Sequence, residues 1–346
     1  MADTPASRHK PGDRGMALLL VVSVIALLSV VIINFSRSMQ LAVEDASQVQ
    51  DEVMLESLAQ SGLDIGMAVL QGDLVLSEFD SLLENWALLG KVPIEVGTGE
   101  SDIRIGIADL DGRFPINSLV EDPGQGQNPG GGEAGGLTPD TAREVLKRLL
   151  LSGLFTVEDE AEADMIVDSI TDWIDADDDE MDNGAERTFY DSLETPIVPR
   201  NGPMEFVEEM LQVNGVTRAL LYGNDEKQAL AEYVSVALKS RRININTAPV
   251  ALIMALDDRI SDELIDGLDE FRTDGANAEL LADSGWFSDF LPADIGGGDL
   301  QSLLTVQSST FIIESAARHR ERTMVMRMTI ERVSDAEMKI LSYQQD

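Results

Sequence analysis

The chain has 346 residues, 44% of them hydrophobic, and its 63 acids against 25 bases give a formal net charge of −38. Such a balance argues against nucleic-acid binding, which needs clustered Lys and Arg to neutralise phosphate, and fits a cation, a basic partner, plain solubility or a saline habitat. There is no cysteine, and His9 and His319 are the only histidines, so disulfides, thiolate metal sites, a histidine zinc site and a Ser/His triad have almost no raw material.

Residues 1–15 are polar and carry Arg8, Lys10 and Arg14, whereas MALLLVVSVIALLSVVIINF, from Met16 to Phe35, has no charge. At 1.5 Å per residue this stretch makes a helix of about 30 Å, the thickness of a bilayer core. Bases before the span and acids after it (Glu44, Asp45, Asp51, Glu52) place the N-terminus in the cytoplasm and the body outside, in the periplasm of a two-membrane bacterium. The stretch is long for a signal peptide, and IINFSRSM is a poor cleavage site. A simple signal anchor competes with an anchor behind a short basic leader, cut between Gly15 and Met16; RG followed by MALLL resembles the cleavage site of type IV prepilins.

Helical periodicity continues to about Leu70, with Val53, Leu55, Leu58, Leu63, Ile65, Val69 and Leu70 on a broad apolar face. The stretch is either one long helix, half in lipid and half on a sheet, or an anchor helix followed by a separate core helix. Ile103, Ile105 and Ile107 then alternate with Asp102, Arg104 and Gly106 as a half-buried strand, and Asp111–Gly112 signals a turn. Glu121–Gly136 (EDPGQGQNPGGGEAGG) is a flexible loop that cannot form a core. It lacks the strand-loop-helix context and the Lys of a phosphate cradle.

From residue 137 the texture is helical. Thr138 caps a helix with Pro139 in its first turn. EAEADMIVDSITDWIDA, GPMEFVEEMLQV, DEKQALAEYVSVALK, NTAPVALIMAL and SDELIDGLDEFR continue in the same period, so residues 137–300 read as an all-α block. TFIIESAARHR and RTMVMRMTIERVS alternate as a hairpin, and EMKILSYQQ adds a last strand. The fold class is therefore α+β. A long N-terminal helix packs on an antiparallel sheet begun within 37–120 and completed by 301–346, with the helical block inserted between strands.

Two segments echo each other, GRFPINSLV (112–120) and RRININTAPV (241–250). NINTAP resembles the hairpin turn of helix-hairpin-helix DNA-binding domains. In so acidic a setting a compact strand-to-helix turn, capped by Asn246 or Thr247, is the better reading.

WIDADDDEMDNGAER, from Trp173 to Arg187, packs Asp175, Asp177, Asp178, Asp179, Glu180, Asp182 and Glu186 around one aromatic and one base. Counted from Asp175, positions 3, 5 and 12 of an EF-hand loop are Asp177, Asp179 and Glu186, but position 6 is Glu180 where the sharp turn needs Gly. The stretch is not an EF-hand. Hard oxygens at two-residue spacing still suit Ca²⁺ better than Mg²⁺, which keeps its waters, with Asp182 or a backbone carbonyl in support. The competing reading is a solvated acidic face. No nucleophile elbow, metalloprotease helix or phosphate loop is present, and the expectation is that the chain is not an enzyme.

Four stretches follow in order: Gly15–Met16 with the apolar helix and Leu20; DLDGRFPINSL; DWIDADDDEMDNGAERTFY; and ININTAP. In that order the chain resembles the GspK family of minor pseudopilins of bacterial type II secretion. Most pilins carry Glu at the fifth mature position, where its charge neutralises a neighbour's N-terminal ammonium within the membrane; here that position is Leu20. The resemblance implies a leader (1–15) removed by prepilin peptidase, methylation of Met16, and a membrane-spanning part of the helix (16–36). It implies a pilin-like domain with a large inserted α-domain and a single-pass inner-membrane protein with a periplasmic body. It implies structural calcium at Asp175, Asp177, Asp179, Asp182 and Glu186, with Asp172 and Asp191 as outlying candidates. The implied partners are the minor pseudopilins I and J, prepilin peptidase and the inner-membrane assembly platform. The implied role is at or near the pseudopilus tip, initiating assembly and the export of folded proteins. The alternative is a generic membrane-anchored, calcium-binding periplasmic scaffold or adhesin that is not a pilin.

Overall fold

The computed structural model describes residues 13–74, 77–91, 93–96, 99–121, 135–236, 241–334 and 337–345. Most of the leader (1–12) and most of the Gly/Pro-rich loop (122–134) lie outside the described residues. Helix α1 (Asp13–Asp73) contains no proline to break it and runs slightly past the expected end at Leu70. The chain divides into two units, Met1–Leu58 and Ala59–Asp346. In the first, the apolar stretch is exposed throughout, and α1 is long and apolar enough to cross a membrane by length and composition.

The second unit holds a five-stranded antiparallel sheet in the order β1 (Ile94–Val96), β2 (Ser101–Asp109), β3 (Thr310–His319), β4 (Arg322–Ser334), β5 (Glu337–Gln345). The hairpin expected from the C-terminal alternation is β3–β4, and its turn passes through Arg320 at φ 55°. Alternation buries one face: Ile103 and Ile105 of β2, Phe311, Ile313 and Ala317 of β3, and Met326, Met328 and Ile330 of β4. Ile107 is only half-buried.

The last turns of α1 lie against this face at two glycines. A Cβ on Gly62 would overlap the Ser315 hydroxyl, and one on Gly66 would come within 2.6 Å of Ile313 Cγ2. Gly62→Val is therefore expected to destabilise the protein by about 1–3 kcal/mol, the usual cost of overpacking, as a lowered denaturation midpoint. An unchanged midpoint would mean that α1 does not pack here.

The insertion leaves the sheet after Asp109 and returns at Thr310. Its main helices are α2 (Pro139–Leu150), capped by Thr138 Oγ1 accepting from Thr141 N at 3.3 Å, and α3 (Glu160–Ile174), capped by Asp159 accepting from Glu162 N at 2.9 Å. They pack with each other and, through α2, with α5 (Val250–Ala255), while α4 (Arg187–Asp191) follows the acidic stretch. Several segments expected as helices are shorter or different. GPMEFVEEMLQV gives a 3₁₀ segment at Val207–Gln212, and SDELIDGLDEFR is helical only at Leu268–Thr273, after Gly267 at φ 80°. Of DEKQALAEYVSVALK, Leu230–Glu232 is 3₁₀ and Val234–Ser235 pairs in parallel with Phe114–Pro115; residues 237–240 lie outside the described residues. The aromatic and β-branched run Tyr233–Val236 favours extended backbone over helix. A second two-residue parallel pair joins Ile243–Asn244 to Leu304–Thr305.

The two echoing motifs occupy the junction between sheet and insertion. Asn244 Nδ2 donates to Asp109 Oδ2 (3.1 Å) and Ser308 Oγ (2.7 Å), Asn244 N donates to the Asp111 carbonyl (2.9 Å), and Thr247 Oγ1 donates to Asp109 Oδ2 (2.5 Å). Neither Asn246 nor Thr247 caps α5, whose N-cap is Pro249 without a side-chain bond. Asn246 instead donates to the Leu281 carbonyl and accepts from Trp286 Nε1 at 3.0 Å. Asn244 and Asn246 are fully buried, so this turn is a clasp between elements and presents no edge to a nucleic-acid groove. Asn117 does the matching work in the first motif, accepting from Met204 N at 2.8 Å and donating to the Met204 carbonyl at 3.1 Å. Beside the clasp, Arg332 of β4 is buried over the Phe311 ring and bonds Asp80 at 2.5 Å and Asp73 at 3.0 Å.

Candidate metal centre

The period of α3 buries Ile166, Ile170, Trp173 and Ile174, and its last full turn carries Asp172 inward with them, fully buried. The helix ends at Asp175, the acidic run crosses the surface, and the chain returns through Gly184 to buried Ala185 and Glu186. Glu186 is the N-cap of α4, its Oε2 accepting from Arg187 N at 3.0 Å. Trp173 and Tyr190 meet edge to face at 5.2 Å and hold the end of α3 against α4. Gly184 is required by space: a Cβ there would overlap the Asp172 carboxylate.

This path brings one carboxylate oxygen each from Asp172, Asp175 and Glu186 within 4.8 Å of one another. Among the described residues, no base joins this trio. Asp172 accepts from Met181 N at 3.3 Å, while Asp175 Oδ1 and Glu186 Oε1 are buried with no hydrogen-bond partner among the described residues. Leaving carboxylate oxygens buried and unpartnered is costly. An all-oxygen set of this kind suits a hard divalent cation, with the exposed side of the loop free to supply water or backbone carbonyls.

The other residues of the run lie elsewhere. Asp177 is exposed, its Oδ1 accepting from Asp179 N at 2.9 Å and its carbonyl accepting from Asn201 Nδ2 at 2.9 Å. Asp179 and Asp182 are exposed and outside the trio. Asp191 is exposed, 3.9 Å from Arg187 Nε. Thus EF-hand positions 1 and 12 come together and positions 3 and 5 do not. Asp172, an outlying candidate in the sequence, stands at the centre. The signal for it is that Asp172, in the last turn of α3, stands three residues before the C-cap Asp175, a spacing that a loop template starting at Asp175 discards.

Burial, then the backbone donors and the charges of Glu186 and Asp168, set Asp172, whose carboxyl is raised to about 6. Burial together with the charges of Asp177, Glu186 and Asp172 raises Asp175 to about 7, and burial raises Glu186 as well. Each folded value lies above its unfolded one, so between about pH 4 and pH 7 the folded state binds more protons than the unfolded state. Stability contributed by this site is then present at low pH and lost as pH rises. In chelator, the protein is expected to melt higher at pH 5 than at pH 7.5, and Asp175→Asn to lessen the difference. A flat profile that Asp175→Asn leaves unchanged would remove the coupling.

At the N-terminus, Gly15 and Met16 lie in the first turns of α1, and Met16 and Leu20 are exposed.

Comparison with known proteins gives a consistent result. Residues 112–237 match the family described as Type II secretion system (T2SS), protein K. The chain is 25% identical over 347 aligned positions to the Type II secretion system protein K of Pseudomonas aeruginosa PAO1, covering 96% of this chain and 92% of that one. It is 26% identical over 238 residues to a putative type II secretion system protein K of Escherichia coli K12, covering 68% of this chain and 65% of that relative's length. Among solved structures, it matches a chain of the GspK-GspI-GspJ complex from the enterotoxigenic E. coli type 2 secretion system with a TM-score of 0.61 at 20% identity, covering 87% of this chain and 99% of the other. The last match bears out the fold expected from the sequence.

Proposed function

We propose that this chain, a relative of the type II secretion system K proteins, sits as a minor pseudopilin at or near the tip of the periplasmic pseudopilus, where it initiates assembly and serves the export of folded proteins. The observation that carries the tip reading is Leu20. Met16–Phe35 has no carboxylate, so this subunit has nothing with which to neutralise the N-terminus of another subunit above it, and a filament ends where that partner charge is missing. The same reading makes the chain a single-pass inner-membrane protein with its N-terminus in the cytoplasm. It is cut by prepilin peptidase before Met16, methylated there, and handled by the inner-membrane assembly platform. Similarity to a chain of a GspK-GspI-GspJ complex supports minor pseudopilins I and J as partners. The trio Asp172, Asp175 and Glu186 supports a structural Ca²⁺ that cancels their repulsion and fixes the acidic loop, with no part in catalysis.

The test is mass spectrometry of the N-terminus of the full chain made in cells with and without prepilin peptidase. The expected mature form starts at N-methylated Met16 only when the peptidase is present, and Gly15→Leu blocks the cut. A chain that keeps residues 1–15 in both cells would sink the pseudopilin reading and leave a simple membrane anchor.

A further inference from the structure

The insertion is tied to the sheet where its two ends meet. β2 ends at Asp109, β3 begins at Thr310, and Leu110 N donates to the Thr310 carbonyl at 2.9 Å. Two carboxyl groups stand in this joint, two residues apart and both buried, Asp109 and Asp111. Asp109 is fully engaged. Its Oδ1 accepts from Asp111 N at 2.8 Å, and its Oδ2 accepts from Asn244 Nδ2, Thr247 Oγ1 and, at 2.6 Å, Ser308 Oγ. Asp111 is engaged on one side only. Its Oδ2 accepts from Ser309 N at 2.5 Å and Ser309 Oγ at 3.0 Å, while Oδ1 is buried with no partner among the described residues. An ionised carboxyl is costly to keep in that state, and a neutral one much less so.

The surrounding charges do not balance the pair. Asp80 faces Asp109 from the segment after α1, and Arg332 of β4 is already bonded to Asp80 and to Asp73, beside which stands Glu84. Arg113 faces Asp109 from the turn, with Glu232 near it. Its guanidinium donates instead to the Ala231 carbonyl at 3.1 Å, and no ion pair joins it to either carboxyl of the pair among the described residues. The elements packed on the joint therefore bring Asp73, Asp80, Glu84 and Glu232 against two guanidinium groups, an excess of acid before the pair is counted. Asn244, Thr247, Ser308 and Ser309 add hydrogen bonds and no charge. Burial raises both carboxyls of the pair, and the charge of Asp109 adds to it at Asp111, which reaches about 7; Asp80 is raised by burial to about 7 against the pull of Arg332.

We infer that one proton retained by the Asp109–Asp111 pair locks the insertion to the sheet, and that this joint is tightest in acid and loosens toward neutral pH. Opening the joint wets both groups and makes them ordinary carboxyls, which give the proton to solvent near pH 4. Between about pH 4 and pH 7 the closed joint then holds one proton more than the open one, so opening becomes up to about tenfold easier per pH unit and levels off above that window.

The test is hydrogen–deuterium exchange of the full chain in detergent, read on peptides that hold Asn244, Ser308 and Ser309, whose amides donate to Asp111, Asp80 and Asp111. After correction for the intrinsic rate, their opening is expected to rise about tenfold or more from pH 5 to pH 7. Asp111→Asn does not titrate, keeps an acceptor for Ser309 and has N–H in place of the proton, so it is expected to lose most of that rise. Asp175→Asn, in the acidic loop, is expected to keep it. Infrared spectra at pH 6 read the proton itself, as a protonated-carboxyl band that Asp111→Asn weakens. Wild-type opening that stays constant from pH 5 to pH 7, an Asp111→Asn course as steep as the wild type's, or identical infrared bands in the two chains would overturn the inference. Should Asp111→Asn not fold, the wild-type course decides alone, a rise sustaining the lock and a constant value removing it.

Discussion

Calcium added to chelator-treated protein at pH 7.5 is expected to raise its melting temperature, and Asp175→Ala or Glu186→Ala to abolish the rise. A ligand that binds only the folded state at a hundred times its dissociation constant adds about 2.7 kcal/mol, which is several degrees for a chain of this size. The two variants act through different atoms, since Asp175 Oδ1 and Glu186 Oε1 are both buried with no partner among the described residues, and either loss breaks the set. Asp179→Ala is the control: Asp179 is exposed and outside the trio, so the rise persists. A rise that survives both trio variants and vanishes in the control would move the cation to the exposed part of the loop. No rise in any variant would return the run to a solvated acidic face.

Arg332→Met is expected to cost about 3–5 kcal/mol, the usual penalty for removing one partner of a buried ion pair. Arg332, Asp73 and Asp80 are all buried, and the substitution leaves the two aspartates facing each other, with the Glu84 carboxylate close by, without the guanidinium that bonds both. The variant joined with Asp73→Asn and Asp80→Asn is expected to recover most of the loss, because the damage lies in the stranded charges. Urea denaturation of the three forms measures both effects. A single variant within experimental error of the parent would mean that the carboxylates find protons or water at little cost.

What could be read in the sequence followed from periodicity. The apolar span, the Ile103–Ile105 alternation, the hairpin strands and the cap Thr138 depend on local spacing, and the fold obeys them. The 230–236 region was illegible because its charges and alanines suit a helix, while Val234 and Ser235 are drawn into a parallel pair with a segment more than a hundred residues earlier. The acidic stretch was legible as chemistry and less so as geometry. Its count of acids points to a cation, but which carboxylates converge depends on the burial of Asp172 by the packing of α3, which a loop template starting at Asp175 does not carry. The motif NINTAP shows the same limit. Its polar residues suggested caps, and they bond instead to Asp109, Ser308 and Trp286, which only the folded chain brings near.

The clasp around Asn244 also bears on the order in which the molecule assembles. β2 and β3 are neighbours in the sheet, Asp109 opposite Phe311, yet the whole insertion separates them along the chain. Closing so long a loop in an unfolded chain costs entropy that grows with the logarithm of its length, and such distant pairings form slowly. Asn244, Asp111 and Ser308 draw the two ends of the insertion together, so an insertion that folds first presents β2 and β3 to each other already aligned. The hairpin that completes the sheet follows the whole insertion along the chain. Until it pairs, the face of α1 that carries Gly62 and Gly66 has no complete sheet to rest on, and a chain caught at that stage exposes it.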